Sequence, residues 1–210
     1  MKSLKESLFD DDLVSNNIID PKYIHPKDVD ELTESIKYYV NLTNHKKGDT
    51  IDLNWIDTSK INDMNSLFDE IKFSNKYNFD VSKWDVSNVK DMAFMFRGCK
   101  YFNCDLSKWD VSKVRNMKDM FAECEKFNSD LSKWNVSNVV NMYGIFYGCE
   151  KFDSDLSKWD VSKVEDMDLM FVDCDVFNCD LSKWDVGNVK FYGNVFSRCP
   201  IKEKNKPQFK

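Results

Sequence analysis

Seven cysteines are the residues of this chain most able to do chemistry, and five of them, Cys99, Cys124, Cys149, Cys174 and Cys199, recur every 25 residues. Thiols in such a row could bind a soft metal or cross-link. Zinc needs four converging ligands, however, and beyond the cysteines only His25 and His45 are available. Rung-to-rung disulfides are geometrically conceivable, but seven cysteines cannot all pair. The reading taken is a ladder of reduced thiols that behave as small buried hydrophobes. Cys104 and Cys179 occupy a second position, where other units carry Ser129 and Ser154, which suggests a small slot.

Carboxylates form the next candidate. Asp80, Asp105, Asp130, Asp155 and Asp180 recur with the same period, two residues after an Asn or Asp. Stacked at turns they could bind calcium, yet the Gly-rich turns of calcium-binding repeats are missing, and capping of backbone amides is the simpler role. The repeated serines have no repeated base beside them, neither histidine sits in a recognisable motif, and no phosphate-cradling glycine loop occurs. No catalytic residue, metal or cofactor is therefore expected.

The period that places these residues also defines the architecture. Trp84, Trp109, Trp134, Trp159 and Trp184 are spaced by 25, and Trp55 opens a looser copy. One unit, Phe102 to Lys126, has the apolar skeleton L-x-x-W-x-V-x-x-V-x-x-M-x-x-M-F-x-x-C-x-x-F. Trp109 and Val111 alternate with polar neighbours, which suits a short half-buried strand. Val114, Met117, Met120, Phe121 and Cys124 recur at three and four, which suits a helical or 3₁₀ segment. A unit this small cannot bury both faces alone, so neighbours must stack. The expected fold is an α/β repeat solenoid, leucine-rich-repeat-like, with short parallel strands on one face, helical or 3₁₀ segments on the other and an N-terminal capping helix.

Domain organisation follows. Residues 1–25 form an N-terminal extension with an acidic cluster, Asp10 to Asp12. In the helical cap, 26–50, Pro26, Asp28, Asp30 and Glu31 start a helix whose apolar stripe is Val29, Leu32, Ile36, Tyr39 and Val40. A first strand is expected at Ile51 to Trp55. Six units span 51–199, and the Lys-rich stretch 200–210 reads as a flexible tail.

The block F-N-x-D-L-S-K-W-D-V-S-x-V-x-x-M-x-x-M-F, seen from Phe102 to Phe121, Phe127 to Phe146 (with Ile145 for the second Met) and Phe152 to Phe171, resembles leucine-rich repeats. It is closest to the 25-residue repeats of the BspA-like surface proteins, also found in mycoplasma-type lipoproteins. Leu is scarce beside the generic leucine-rich signature, with Phe, Met, Val and Trp in its place. The resemblance covers about residues 50 to 199 and implies a role in adhesion or protein binding at a cell surface.

Thirty basic against 36 acidic residues give net −6, which disfavours non-specific binding to nucleic acid or anionic lipid. No 18-residue apolar run predicts membrane insertion, and no export signal precedes the repeats. A cytoplasmic or virion-associated location is expected on those grounds, a cell surface on the resemblance. The expected function is a monomeric, non-enzymatic interaction module with a protein partner. Two surfaces are candidates: Val140, Tyr143 and Tyr147, where units differ, and the repeated charges Lys108, Asp110, Lys133, Lys158 and Asp160. The alternative is a structural component of a virion or intracellular complex, docked through its N-terminal segment.

Overall fold

The computed structural model describes residues 25–71 and 74–209; of the expected N-terminal extension, all but His25 lies outside the described residues. Helix α1 (Val29–Leu42) starts at Asp28, whose carboxylate accepts the Glu31 amide at 2.9 Å, while the Glu31 carboxylate accepts the Lys27 amide at 3.1 Å. These bonds satisfy amides that the first helical turn leaves without partners. Leu32, Ile36 and Val40, each four residues on from the last, bury one face of α1 in the core. The Thr43 hydroxyl closes the other end by donating to the Tyr39 carbonyl at 2.9 Å.

Strand β1 (Thr50–Asp52) pairs in parallel with β2 (Asn78–Asp80), with Ile51 opposite Phe79. Beyond this pair, successive units are joined by single parallel bridges, Asp63 to Asp91, then Asn116, Asn141, Asp166 and Phe191. Single-turn 3₁₀ segments lie at Ser74–Lys76 and Glu203–Asn205.

The stretches between bridges differ from the expected elements. In the Trp109 unit, the Trp109 amide donates to the Leu106 carbonyl at 3.0 Å, and that of Val114 to Val111 at 2.9 Å. L-x-x-W and V-x-x-V thus each close a turn, and the Trp-x-Val segment is not a strand. The side-chain alternation holds all the same, with Trp109 and Val111 buried and Lys108 and Asp110 exposed.

No helix forms after it either. The Met120 amide donates to Met117 at 3.2 Å and the Cys124 amide to Phe121 at 3.0 Å, which makes two consecutive four-residue turns. Their third residues, Asp119 and Glu123, have φ of 50° and 61°. That left-handed backbone cannot continue a right-handed helix. Alternate amides turn outward instead: Met117, Asp119, Phe121 and Glu123 donate to Asn141, Tyr143, Ile145 and Tyr147 of the next unit at 2.9, 2.8, 3.0 and 2.6 Å.

Aromatic columns fill the space between. Phe96, Phe121, Phe146 and Phe171 stack at 5.7, 6.0 and 5.7 Å between centroids. Phe102, Phe127, Phe152 and Phe177 form a second column at 5.8, 5.8 and 5.9 Å. Within a unit the two columns touch, as Phe121 and Phe127 do at 4.1 Å. All eight rings are buried.

The C-terminal segment is not the free tail expected. Ile201, Asn205 and Pro207 are buried, the Asn205 carbonyl accepts the Leu181 amide at 2.8 Å, and Phe209 stacks on Tyr192 at 4.6 Å. Residues 201–209 cover the end of the last unit.

Candidate interaction surface

Most of the repeated polar residues are engaged by the framework. Cys124, Cys149 and Cys174 donate to the carbonyls of Phe96, Phe121 and Phe146 in the unit before, at 3.0, 3.0 and 3.1 Å. All seven cysteines are free thiols, and burial pushes Cys99 up to about 12 and raises Cys149 as well. A thiol so protonated is a poor nucleophile at neutral pH. The Ser and Cys interchange has one explanation: the Ser129 and Ser154 hydroxyls accept the amides of Leu106 and Leu131 at 2.9 Å, and Cys104 and Cys179 sulfurs take the equivalent amides of Val81 and Leu156 at 3.4 and 3.3 Å. The slot is an acceptor for the preceding unit.

The Asn row works in the opposite direction, accepting from the following unit. The Asn78 side-chain oxygen accepts the Asn103 amide at 2.9 Å, Asn103 that of Asn128 at 2.8 Å, and Asn128 that of Asp153 at 2.9 Å. The carboxylates of Asp105, Asp130, Asp155 and Asp180 each accept the amide of the serine two residues on. Hydrogen bonds from those serines hold all four below the usual carboxylate range. Among the described residues no group of three or more His, Cys, Asp or Glu is arranged to hold a metal ion.

The candidate charged residues sit on this framework. Asp110 and Asp160 cap the amides of Ser112 and Ser162 at 3.0 and 3.1 Å, and those serines lower both carboxyls. Lys108, Lys133 and Lys158 are exposed, and the charges they offset are Asp105, Asp130 and Asp155, whereas Asp110 and Asp160 answer to Lys113 and Lys163.

Val140, Tyr143 and Tyr147 belong to the tandem-turn side of the unit. Val140 is 38% exposed, and both tyrosines are half-buried. The Lys118 ammonium lies 5.4 Å from the Phe94 centroid and 5.0 Å from the Tyr143 centroid, and the Arg97 guanidinium carbon lies 5.4 Å from Phe94. Rings and cations from three successive units thereby form one ridge, held by attraction of the cations to the ring faces. Burial pushes the Tyr143 phenol up. Asp119 lies beside this ridge, its carboxyl raised by burial against the opposing charges of Lys118 and Arg97. No hydrogen bond or ion pair among the described residues joins the Lys108, Lys133 and Lys158 row to Tyr143 or Tyr147.

Phe94 and Lys118 were not among the candidate residues. The signal for the contact of Lys118 with Tyr143 was positional, since the two occupy one unit position 25 residues apart. The histidines lie elsewhere: His25 faces the Asp57 carboxylate at 3.1 Å, and His45 meets the Tyr77 ring edge-on at 5.9 Å.

What this geometry defines is a chain of repeated units whose uniform residues join unit to unit, with some of its differences on one ridge. A family model described as "Mycoplasma protein of unknown function, DUF285" matches residues 38–149 and again residues 127–208, and the chain belongs to that family. The overlap of the two matches is what a repeat produces when it can be laid on the chain in more than one register. No curated protein and no solved structure matches the chain. Among the described residues no helix is long and apolar enough to cross a membrane.

Proposed function

We propose that the chain is a leucine-rich-repeat-like solenoid, akin to the BspA-like surface proteins, that works as a non-enzymatic protein-binding module. The observation that carries the reading is the ridge of Phe94, Lys118 and Tyr143, with the exposed Val140 and half-buried Tyr147 as further varied positions of the Tyr143 unit. Rows that repeat from unit to unit are spent on backbone capping and inter-unit bonds, whereas this ridge differs in every unit and keeps apolar and aromatic area at the surface. Tyrosine suits such a role because it offers large area and a polar tip at low rotamer entropy. The match to a mycoplasma family model fits the resemblance to BspA-like repeats, and it is that resemblance which implies a surface or adhesion role.

The test is capture of partners from source cells by wild type and by Tyr143→Asp/Tyr147→Asp, with circular dichroism of both. A partner retained by wild type and lost by the folded variant supports the ridge. Equal capture by both removes it.

A further inference from the structure

Loop Lys46 to Asp49 follows α1 and turns back onto the first units. The Lys46 amide donates to the Asp49 carboxylate at 2.7 Å, the Gly48 amide to the Lys76 carbonyl at 2.6 Å, and the Asn78 amide to the Asp49 carbonyl at 2.9 Å. Gly48 has φ +90°, which a side chain would strain. The loop is thereby fixed beside the stretches of the next two units that contain Lys100 and Lys126. Lys47, Lys76, Lys100 and Lys126 line one groove, together with Tyr101 and Glu125.

Four lysines face a single glutamate there, in a chain whose net charge is −6. The glutamate is already taken, since Lys100 donates to Glu125 at 2.6 Å. Glu123 and Glu150 also bear on Lys100. Lys47 is held over the Tyr101 ring, its ammonium 5.7 Å from the centroid. Asp49 faces its own turn, where its carboxylate is engaged by the Lys46 amide. Elsewhere in the repeats lysine rows run beside aspartate rows that offset them. Here Lys47, Lys76 and Lys126 line one groove, and among the described residues none of the three forms an ion pair with a carboxylate.

From this we infer that the groove between the post-helical loop and the first two regular units is an anion site for a small soluble ligand carrying two adjacent phosphate groups. Ammonium groups on flexible stems suit phosphate oxygens as point charges, and three cations on three separate segments match a diphosphate better than a single carboxylate. This site is separate from the Phe94 to Tyr147 ridge, and its existence does not depend on that ridge binding a protein.

Inorganic pyrophosphate is the probe, titrated calorimetrically into the full chain at low and at physiological salt. Wild type is expected to bind, more weakly as salt rises. Lys76→Gln/Lys126→Gln is expected to lose about tenfold or more in affinity. Lys76→Arg/Lys126→Arg, which keeps the charge, and Lys108→Gln/Lys133→Gln, which removes charge elsewhere, should bind like wild type. All these side chains are exposed, so folding is expected to survive, and circular dichroism checks it. Equal affinity in the Lys76→Gln/Lys126→Gln variant overturns the inference. So does the absence of binding up to about 10 mM pyrophosphate, or binding seen only to phosphatidylcholine vesicles that contain phosphatidate, since the groove would then not be a soluble-phosphate site.

Discussion

The indole N–H of Trp134 donates to the carbonyl of Leu106 at 2.9 Å, across the boundary between two units. Trp109, Trp159 and Trp184 do the same to Val81, Leu131 and Leu156, each reaching 28 residues back. A tryptophan at this position therefore fills the core and fixes the register of its neighbour.

Trp134→Phe should consequently cost more than its lost area. It leaves the buried Leu106 carbonyl without the indole partner and opens a void, together worth about 2–4 kcal/mol. The half-buried Trp55 bonds within its own unit, to Asp52 at 3.0 Å, so Trp55→Phe should cost about 1 kcal/mol. Urea unfolding of the two variants measures the difference. Equal losses would mean that the inter-unit bond carries nothing.

Gly144 stands third in a tandem turn with φ +56°, and a Cβ there would meet the Asp119 carboxylate oxygen at 2.0 Å. Gly98 has φ +71° with nothing within 4 Å. Gly98→Ala should lose about 1 kcal/mol from backbone strain alone. Gly144→Ala should lose more, and the excess should vanish in Gly144→Ala/Asp119→Ala, because only the carboxylate is in the way. An undiminished excess in the double variant would show that backbone, not Asp119, blocks the site.

These glycines also show what could be read from the sequence. The buried set, from Trp84 to Phe177, was legible because a 25-residue period brings each side chain onto its own kind. The local backbone was not legible. V-x-x-M-x-x-M-F has spacings of three and four, which a helical turn satisfies and so do consecutive four-residue turns. What separates them is the sign of φ at Asp119 and Glu123, residues that give no hint by type. Only the units with Gly98, Gly144 and Gly148 at those positions carried the clue. The ridge was half legible: Tyr143 and Tyr147 stood out by composition, but the cation between Phe94 and Tyr143 belonged to an unremarked Lys118.

Acid should weaken the fold through its turn caps. Serine hydrogen bonds lower Asp105, Asp110, Asp130, Asp155 and Asp160 from the model-peptide value of about 3.9. A carboxylate lowered on folding stabilises the fold above its unfolded pKa, and that stability is lost as pH falls through the folded pKa. The melting temperature should thus fall below about pH 4. Asp130→Asn keeps an oxygen acceptor that does not titrate, as Asn135 does for the Ser137 amide at 3.2 Å. It should flatten the acid limb slightly, whereas Asp130→Ala should lower stability at pH 7. Identical acid limbs in wild type and Asp130→Asn would remove this cap from the account.

The C-terminal segment should behave as a cap with a measurable contribution. At inner boundaries the hydroxyls of Ser129 and Ser154 accept the amides of Leu106 and Leu131, but Leu181 has no further unit to donate to and uses the Asn205 carbonyl at 2.8 Å. The Asn205 amide group in turn donates to the Asn178 carbonyl at 3.1 Å, and the Lys202 amide to the Asn178 side-chain oxygen at 3.0 Å, which repeats the Asn row. Ile201 is only 5% exposed. Asn205→Ala removes the side-chain bond while its carbonyl stays, so it should cost about 1–2 kcal/mol. A chain ending at Cys199 loses all three bonds and the Ile201 burial, and should cost about 3–5 kcal/mol. Hydrogen exchange should then rise first at the Leu181 amide and the surrounding last unit, with the Trp109 and Trp134 units still protected, because units in such a stack contact only their neighbours. A truncated chain with the unfolding midpoint of the full chain would show that the segment rests on the last unit without stabilising it.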